Sequence, residues 1–168
     1  FEYNPHEEKP YTIPVWKNLT ELTDKAVKYF EGRMISQKTL NKMKVYTDHE
    51  FMPQFQKEVD VICFPYFFNE KLINIKYRGP KKSFKMVSGA ELIFWNIDCL
   101  KTNNEVIICE GEIDALTFIE AGYENVMSVP NGANKNLEYL DNCIDLFKPI
   151  QKIYIATDQD TKGIELKT

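Results

Sequence analysis

From Val106 onward the chain alternates short apolar runs with helix-forming stretches, and few folds accommodate that order. Val106-Ile-Ile-Cys109 is apolar at every position, as expected of a strand buried on both faces. A helix is expected from Asp114 to Ala121, closed by Gly122. A strand at Val126–Val129, a helix over Leu137–Phe147 and a strand at Lys152–Thr157 complete the series. A βαβαβ order implies a parallel, doubly wound α/β sheet with right-handed crossovers. Ligands of such sheets bind beyond the carboxyl ends of the strands.

The preceding residues have a different character. Residues 1–17 hold three prolines and no periodicity and read as an extended arm or linker. Asn18-Leu-Thr-Glu21 resembles a capping box, and the helix expected after it places Leu19, Leu22, Ala26 and Phe30 on one face before Gly32. Ser36 caps a second short helix carrying Leu40 and Met43. Val59–Tyr66 and Lys71–Arg78 form an antiparallel hairpin about Phe68-Asn-Glu-Lys71. On the second strand Ile73, Ile75 and Tyr77 share one face, taken as the core side. Asn74, Lys76 and Arg78 share the other, taken as polar and cationic. Ser83–Val87 and Glu91–Trp95 are expected to extend this sheet. The chain thus divides into an arm (1–17), a small α+β subdomain (18–103) and the α/β domain (104–168).

Charge follows the same division. The whole chain has a net charge of −4, yet residues 1–98 sum to +2 and residues 99–168 to −6. Between Lys71 and Lys85 lie six basic residues (Lys71, Lys76, Arg78, Lys81, Lys82, Lys85) and no acidic one. A basic half joined to an acidic half suits a phosphate-rich ligand beside a metal. With 43% apolar and 27% charged residues the composition is that of a globular protein. No run reaches the ~20 apolar residues of a membrane span, and no signal peptide opens the chain, so an intracellular, cytoplasmic setting is expected. The chain starts at Phe1 rather than Met and stops where a helix is expected to begin at Ile164, which reads as a piece of a longer protein. Cys63, Cys99, Cys109 and Cys143 are too widely spaced for zinc, and at least Cys63 and Cys109 sit inside apolar runs as small hydrophobes would.

Acids gather at the expected strand ends. Glu110-Gly111-Glu112-Ile-Asp114 follows the first α/β strand, and Asp158-Gln-Asp160 follows the third. Glu110, Asp158 and Asp160 converging on a wet crevice would repel one another without a hard divalent cation, and oxygen ligands suit Mg²⁺ or Mn²⁺. Taken singly these acids have plainer readings. Asp-x-Asp is more often a cap and turn, Glu112 a solvated helix-start residue, and Asp114 a dipole-favoured N-terminal acid. Their conjunction in one βαβαβ unit favours the metal. Asn131-Gly-Ala-Asn134 shapes the crevice or simply turns the chain. Tyr66, Phe67 and Phe68 have the flat faces that stack bases, but strand residues at that density, like Trp95 and His49, are expected to pack.

Glu110-Gly-Glu-Ile-Asp114-Ala with Asp158-Gln-Asp160-Thr-Lys-Gly163 resembles the Toprim signature. DnaG-type primases, type IA and II topoisomerases, OLD-family nucleases and RecR-like proteins share it. Ile108–Thr117 is especially similar to bacteriophage primase–helicases and their Twinkle-like relatives, and the basic hairpin with Lys76, Arg78 and Phe84-Lys85 resembles the N-terminal part of a primase core. The resemblance implies Mg²⁺- or Mn²⁺-dependent synthesis of RNA primers from ribonucleoside triphosphates on a single-stranded DNA template. A replicative helicase would act in cis or in trans, within a nucleoid or phage replication complex. It makes Glu110 the general acid/base and a metal ligand. Asp158 and Asp160 would hold metal, Asp114 would be a secondary acidic position, and Lys76, Arg78, Lys81, Lys82 and Lys85 would contact template or nucleotide phosphates. It also implies a Toprim fold cut short after Gly163. The rivals are an OLD-type nuclease, disfavoured by the hairpin's position before the Toprim motif, and a non-catalytic DNA-binding or helicase-coupling module, disfavoured by the intact acids.

Overall fold

The computed structural model describes residues 10–17, 21–132 and 136–158. Two helices lead in, α1 (Asp24–Glu31) and α2 (Gln37–Lys42). The Thr23 side chain caps α1 by accepting from the Ala26 N–H at 3.3 Å. The helix therefore starts later than the sequence suggests; Asn18 and Leu19 lie outside the described residues. Ser36 caps α2 as expected, accepting from the Thr39 N–H. The Glu120 carboxylate accepts from both the Ser36 N–H and hydroxyl, at 3.0 and 2.9 Å, and ties α2 to the α/β layer.

Four antiparallel strands follow in spatial order: β1 (Tyr46–Met52), β2 (Lys57–Phe68), β3 (Lys71–Arg78) and β4 (Phe84–Met86). The β2–β3 hairpin turns on Asn69 and Glu70, both at positive φ (51° and 65°), as a primed two-residue turn requires. β1 escapes the sequence reading because its polar middle, Thr47-Asp-His-Glu50, has no apolar alternation, and only Tyr46 and Met52 at its ends are buried. His49 stands on β1 with its side chain 73% exposed, paired with Asp60 across the ladder, so it does not pack in the interior as expected.

The second layer is a parallel sheet of order β6-β5-β7, from β5 (Glu105–Cys109), β6 (Val126–Ser128) and β7 (Lys152–Ala156). Helix α3 (Glu112–Glu120) joins β5 to β6, and α4 (Glu138–Cys143), continued by a 3₁₀ turn to Phe147, joins β6 to β7. This is the βαβαβ unit read from the sequence, within a residue or two at most boundaries. Val106 and Cys109 on the central strand are fully buried, whereas Ile153, Tyr154 and Ile155 of edge strand β7 are each about half exposed.

Two of the sequence expectations change where the layers meet. Glu91–Trp95 does not extend the antiparallel sheet; Trp95 instead bridges to Ser128 at the edge of the parallel one. The Asn74/Lys76 side of β3 is not a solvent face. Asn74 and Lys76 pair with Tyr66 and Phe64 in the ladder, share their side of the sheet, and are buried with them. Ile75 and Tyr77 join a smaller cluster with Tyr46, Met52, Val61 and Cys63. Trp16, from the expected linker, covers that cluster by meeting Tyr46 and Phe67 edge-on at 5.4 and 5.7 Å. All four cysteines are free and buried, and burial pushes the Cys63, Cys99 and Cys109 thiols up to about 12. No helix among the described residues is long and apolar enough to cross a membrane.

Candidate nucleic-acid and metal site

The carboxyl ends of β5, β6 and β7 open onto a cleft of about 580 Å³ whose opposite wall is the antiparallel sheet and α1. Cys109 and Ala156 are register partners on adjacent strands, so Glu110, one residue on, and Asp158, two residues on, leave the sheet at the same end and line the same cleft. Gly111 forms the N-cap of α3 without a side chain, and Asp114, three residues on, reaches back to its N–H in the manner of a capping box. A β-carbon on Gly111 would sit 3.2 Å from Asp114 Oδ2, so a larger residue there would press on that carboxylate.

These acids feel one another. Burial raises the Asp114 carboxyl above its ordinary value, and the charges of Asp158, Glu110 and Glu112 raise it further. Glu110 Oε2 is buried and has no hydrogen-bond partner among the described residues. A crowded acid and an orphaned carboxylate oxygen both fit a hard divalent cation with Glu110, Asp114 and Asp158 at hand. Among the described residues no three His, Cys, Asp or Glu side chains are grouped closely enough to hold a metal ion by themselves, and Asp160 lies outside those residues.

The cationic wall is more differentiated than the sequence suggests. Lys76, Arg78, Lys82 and Lys85 line the cleft, while Lys81 lines a neighbouring cleft of about 370 Å³ that shares Tyr29, Arg33, Arg78 and Lys82 with it. Lys85 is committed to Glu50 at 2.9 Å and to the Phe51 carbonyl at 2.7 Å. Lys76 is committed to Glu112, with Nζ 2.9 and 3.0 Å from its two carboxylate oxygens. Glu112 is therefore not solvated as expected; it is 4% exposed and also accepts from the Tyr66 hydroxyl. Tyr66 is wholly buried, which makes it core rather than a stacking platform.

Arg78 has no acidic partner among the described residues and lies between two rings, 5.1 Å from the Phe84 centroid and 5.7 Å from that of Tyr29. Arg33, 3.9 Å over the same Tyr29 ring, joins it in both clefts. Tyr29 and Arg33 were not singled out from the sequence. The available signal was an arginine just past the helix-ending Gly32, four residues after a tyrosine. Asn131 and Gly132, at φ +62°, make a turn that also lines the cleft; Asn134 lies outside the described residues.

Residues 107–167 match the Toprim-like family model. The chain is 36% identical over 162 residues to a Twinkle homolog protein, chloroplastic/mitochondrial, and 34% identical over 162 residues to a primase homolog protein, both from Arabidopsis thaliana. Each alignment covers 86% of this chain, which spans only 22% and 45% of those relatives. The primase fragment of the bacteriophage T7 primase-helicase superposes with a TM-score of 0.69 at 22% identity, covering 97% of this chain and 66% of that one. A chain from the structure of bacteriophage T7 lagging-strand DNA polymerase interacting with primase domains, bound to an RNA/DNA hybrid and dTTP, superposes with a TM-score of 0.68 at 21% identity, covering 93% of this chain and 78% of that one. Behind the antiparallel sheet, the parallel layer is a Toprim fold, in the arrangement of primase catalytic cores.

Proposed function

We propose that this Toprim-bearing relative of Twinkle and primase homologues is the catalytic core of a DNA primase, making short RNA primers on single-stranded DNA beside a replicative helicase in cis or in trans. The observation that carries this reading is the opposition of two walls. Arg33, Arg78 and Lys82 face the acidic ends of the parallel sheet across one cleft. Cations on one side supply sequence-independent affinity for a phosphate backbone. The acids opposite are left for metal and proton transfer.

In this reading Glu110, Asp114, Asp158 and Asp160 hold Mg²⁺ or Mn²⁺. When bound, that ion neutralises charge on the reacting phosphate and favours the attacking hydroxyl. Glu110 Oε2, buried and unpartnered among the described residues, accepts the proton of a ribonucleotide 3′-hydroxyl as it attacks the α-phosphate of the next nucleotide, breaking the α–β phosphoanhydride bond and releasing pyrophosphate. Arg78 and Lys82 orient the phosphates, with Lys81 and Lys85 at the rim. Tyr29 and Phe84 keep the Arg33 and Arg78 guanidinium planes in place. The RNA/DNA hybrid in the complex of T7 primase domains with a lagging-strand DNA polymerase is the product class of RNA synthesis on a DNA template.

The test is to incubate the chain with single-stranded DNA, ribonucleoside triphosphates and Mg²⁺ or Mn²⁺, with labels on both DNA and nucleotide. Short labelled RNA that disappears in Glu110→Gln supports the proposal. Cut DNA without synthesis points to a nuclease, and tight DNA binding with neither product to a non-catalytic module.

A further inference from the structure

A lysine whose only task is to meet a phosphate would not need the surroundings of Lys76. Its side chain is 9% exposed and that of Glu112 5%. The two face each other through both carboxylate oxygens, and the Tyr66 hydroxyl donates to the same Glu112 Oε1 that accepts from Lys76. The three side chains come from the middle of β3, the first turn of α3 and the far half of β2. They join the cationic wall to the helix that carries Asp114 and follows Glu110. For adhesion alone an apolar trio of the same volume would serve as well or better, because burying an ion pair sacrifices its hydration. An ammonium also has three donors, two of which are used by Glu112. Lys76 still lines the cleft, with Nζ 5.3 Å from the Phe84 ring centroid.

We propose that Glu112 is a positioning residue, not a metal ligand: anchored by Tyr66, its carboxylate holds the Lys76 ammonium at the floor of the cleft, where that cation receives the phosphates of an incoming ribonucleoside triphosphate. This rests on the primase reading above and assigns to one acid of the Glu110-Gly-Glu112-Ile-Asp114 motif a task different from its neighbours'. Glu112 lends its charge to the lysine, so the pair is neutral and the three remaining acids of the described cleft are not joined by a fourth free one. Tyr66 prevents the carboxylate from rotating away.

The experiment compares thermal unfolding with binding of an α,β-methylene analogue of ATP in Mg²⁺, measured by calorimetry, in the chain and four variants. Glu112→Gln and Lys76→Met each strand a partner, and their Tm should fall by on the order of 10 °C. The double variant removes both charges; its Tm should recover to within a few degrees while its affinity for the analogue stays roughly tenfold or more below that of the unaltered chain. Tyr66→Phe deletes a single hydroxyl, keeps the fold, and should weaken the analogue several-fold. Should both single variants prove too unstable to purify, Tyr66→Phe and the double variant still decide the matter. Recovery of both stability and affinity in the double variant would reduce the trio to a structural tie and overturn the proposal. So would full affinity in Tyr66→Phe together with unchanged behaviour of Glu112→Gln. If the unaltered chain ignores the analogue while the stability data still show the pair coupled, the nucleotide reading of the cleft fails and the positioning role fails with it; the ion pair itself stands.

Discussion

Trp95 and Ser128 exchange both backbone hydrogen bonds, at 3.0 and 3.3 Å, while the Trp95 indole N–H donates 3.0 Å to the carbonyl of Pro65 on the opposite sheet. One buried residue thus stitches the edge of the parallel layer to the antiparallel one. Trp95→Ala should cost about 3–5 kcal/mol and Trp95→Phe, which retains most of the bulk but orphans the Pro65 carbonyl, about 1–3 kcal/mol. Urea unfolding monitored by circular dichroism measures both.

Divalent metal should stabilise the chain in a pH-dependent manner. The Asp114 carboxyl is raised by burial and by Asp158, Glu110 and Glu112, so the folded protein binds more protons than the unfolded chain as pH climbs out of the ordinary carboxylate range. Stability from this group is therefore present at low pH and lost as pH rises through the raised value. A bound cation reverses the loss. The Tm gain from Mn²⁺ at a hundredfold excess over its Kd should correspond to about 2.7 kcal/mol at pH 7.5 and shrink markedly at pH 5. Asp114→Asn should raise the metal-free Tm at pH 7.5 and blunt the response to Mn²⁺. An equal Mn²⁺ gain at both pH values would contradict the crowded-acid picture.

The cations of the cleft should separate into two groups by salt dependence. Arg33→Ala and Arg78→Ala should each weaken binding of single-stranded DNA and lower the slope of log K against log salt by about 0.7–1, because neither guanidinium has an acidic partner among the described residues. Lys85→Ala should change the slope little, since Glu50 already claims that ammonium. Fluorescence anisotropy with labelled oligonucleotides between 50 and 300 mM salt, ranges of the order that counterion release resolves, provides the comparison.

Asn74 is buried and fully employed: its amide donates to the Glu91 carbonyl at 2.9 Å and accepts from the Ile75 and Val87 N–H groups at 2.8 and 3.3 Å. Asn74→Leu should destabilise by roughly 1–3 kcal/mol despite the gain in apolar surface, because the Glu91 carbonyl and the Ile75 N–H lose this partner away from water, while the Val87 N–H keeps the Ile75 carbonyl at 3.3 Å. Denaturant midpoints at constant m-value would establish it.

Glu70 holds a left-handed conformation at φ 65° in the β2–β3 turn. Glu70→Gly completes the Asn-Gly pair that such turns favour and should raise stability by about 0.5–1 kcal/mol, read as an increase of a few degrees in Tm.

What the chain discloses before folding depends on how local each signal is. The Lys71–Arg78 strand and the alternating strands and helices after Val106 are visible because apolar spacing and breakers such as Gly122 act within a few residues. Glu110 and Asp158 could be placed together because parallel strands bring their carboxyl ends to one edge. The fate of Lys76 was not visible: its partner lies 36 residues away, and a period-two pattern tells which residues share a face but not what covers that face. Strand β1 was hidden for a related reason, since its polar centre is held by the ladder to β2 rather than by its own burial. Arg33 and Tyr29 gain their place in the cleft from the packing of α1, which no local pattern encodes.

The two walls of the cleft belong to different sheets, and that separation has an evolutionary consequence. On the primase reading, substitutions that retune the grip on a nucleic-acid strand fall at the end of α1, on β3 and in the turn to β4, whereas those that would alter the acids fall after β5, in the first turn of α3 and after β7. Apart from the Lys76–Glu112 contact, a lineage can rewrite one set while conserving the other. If the cleft serves as proposed, template preference and chemical competence can therefore drift at independent rates, and a descendant can keep a hold on nucleic acid after its chemistry has decayed.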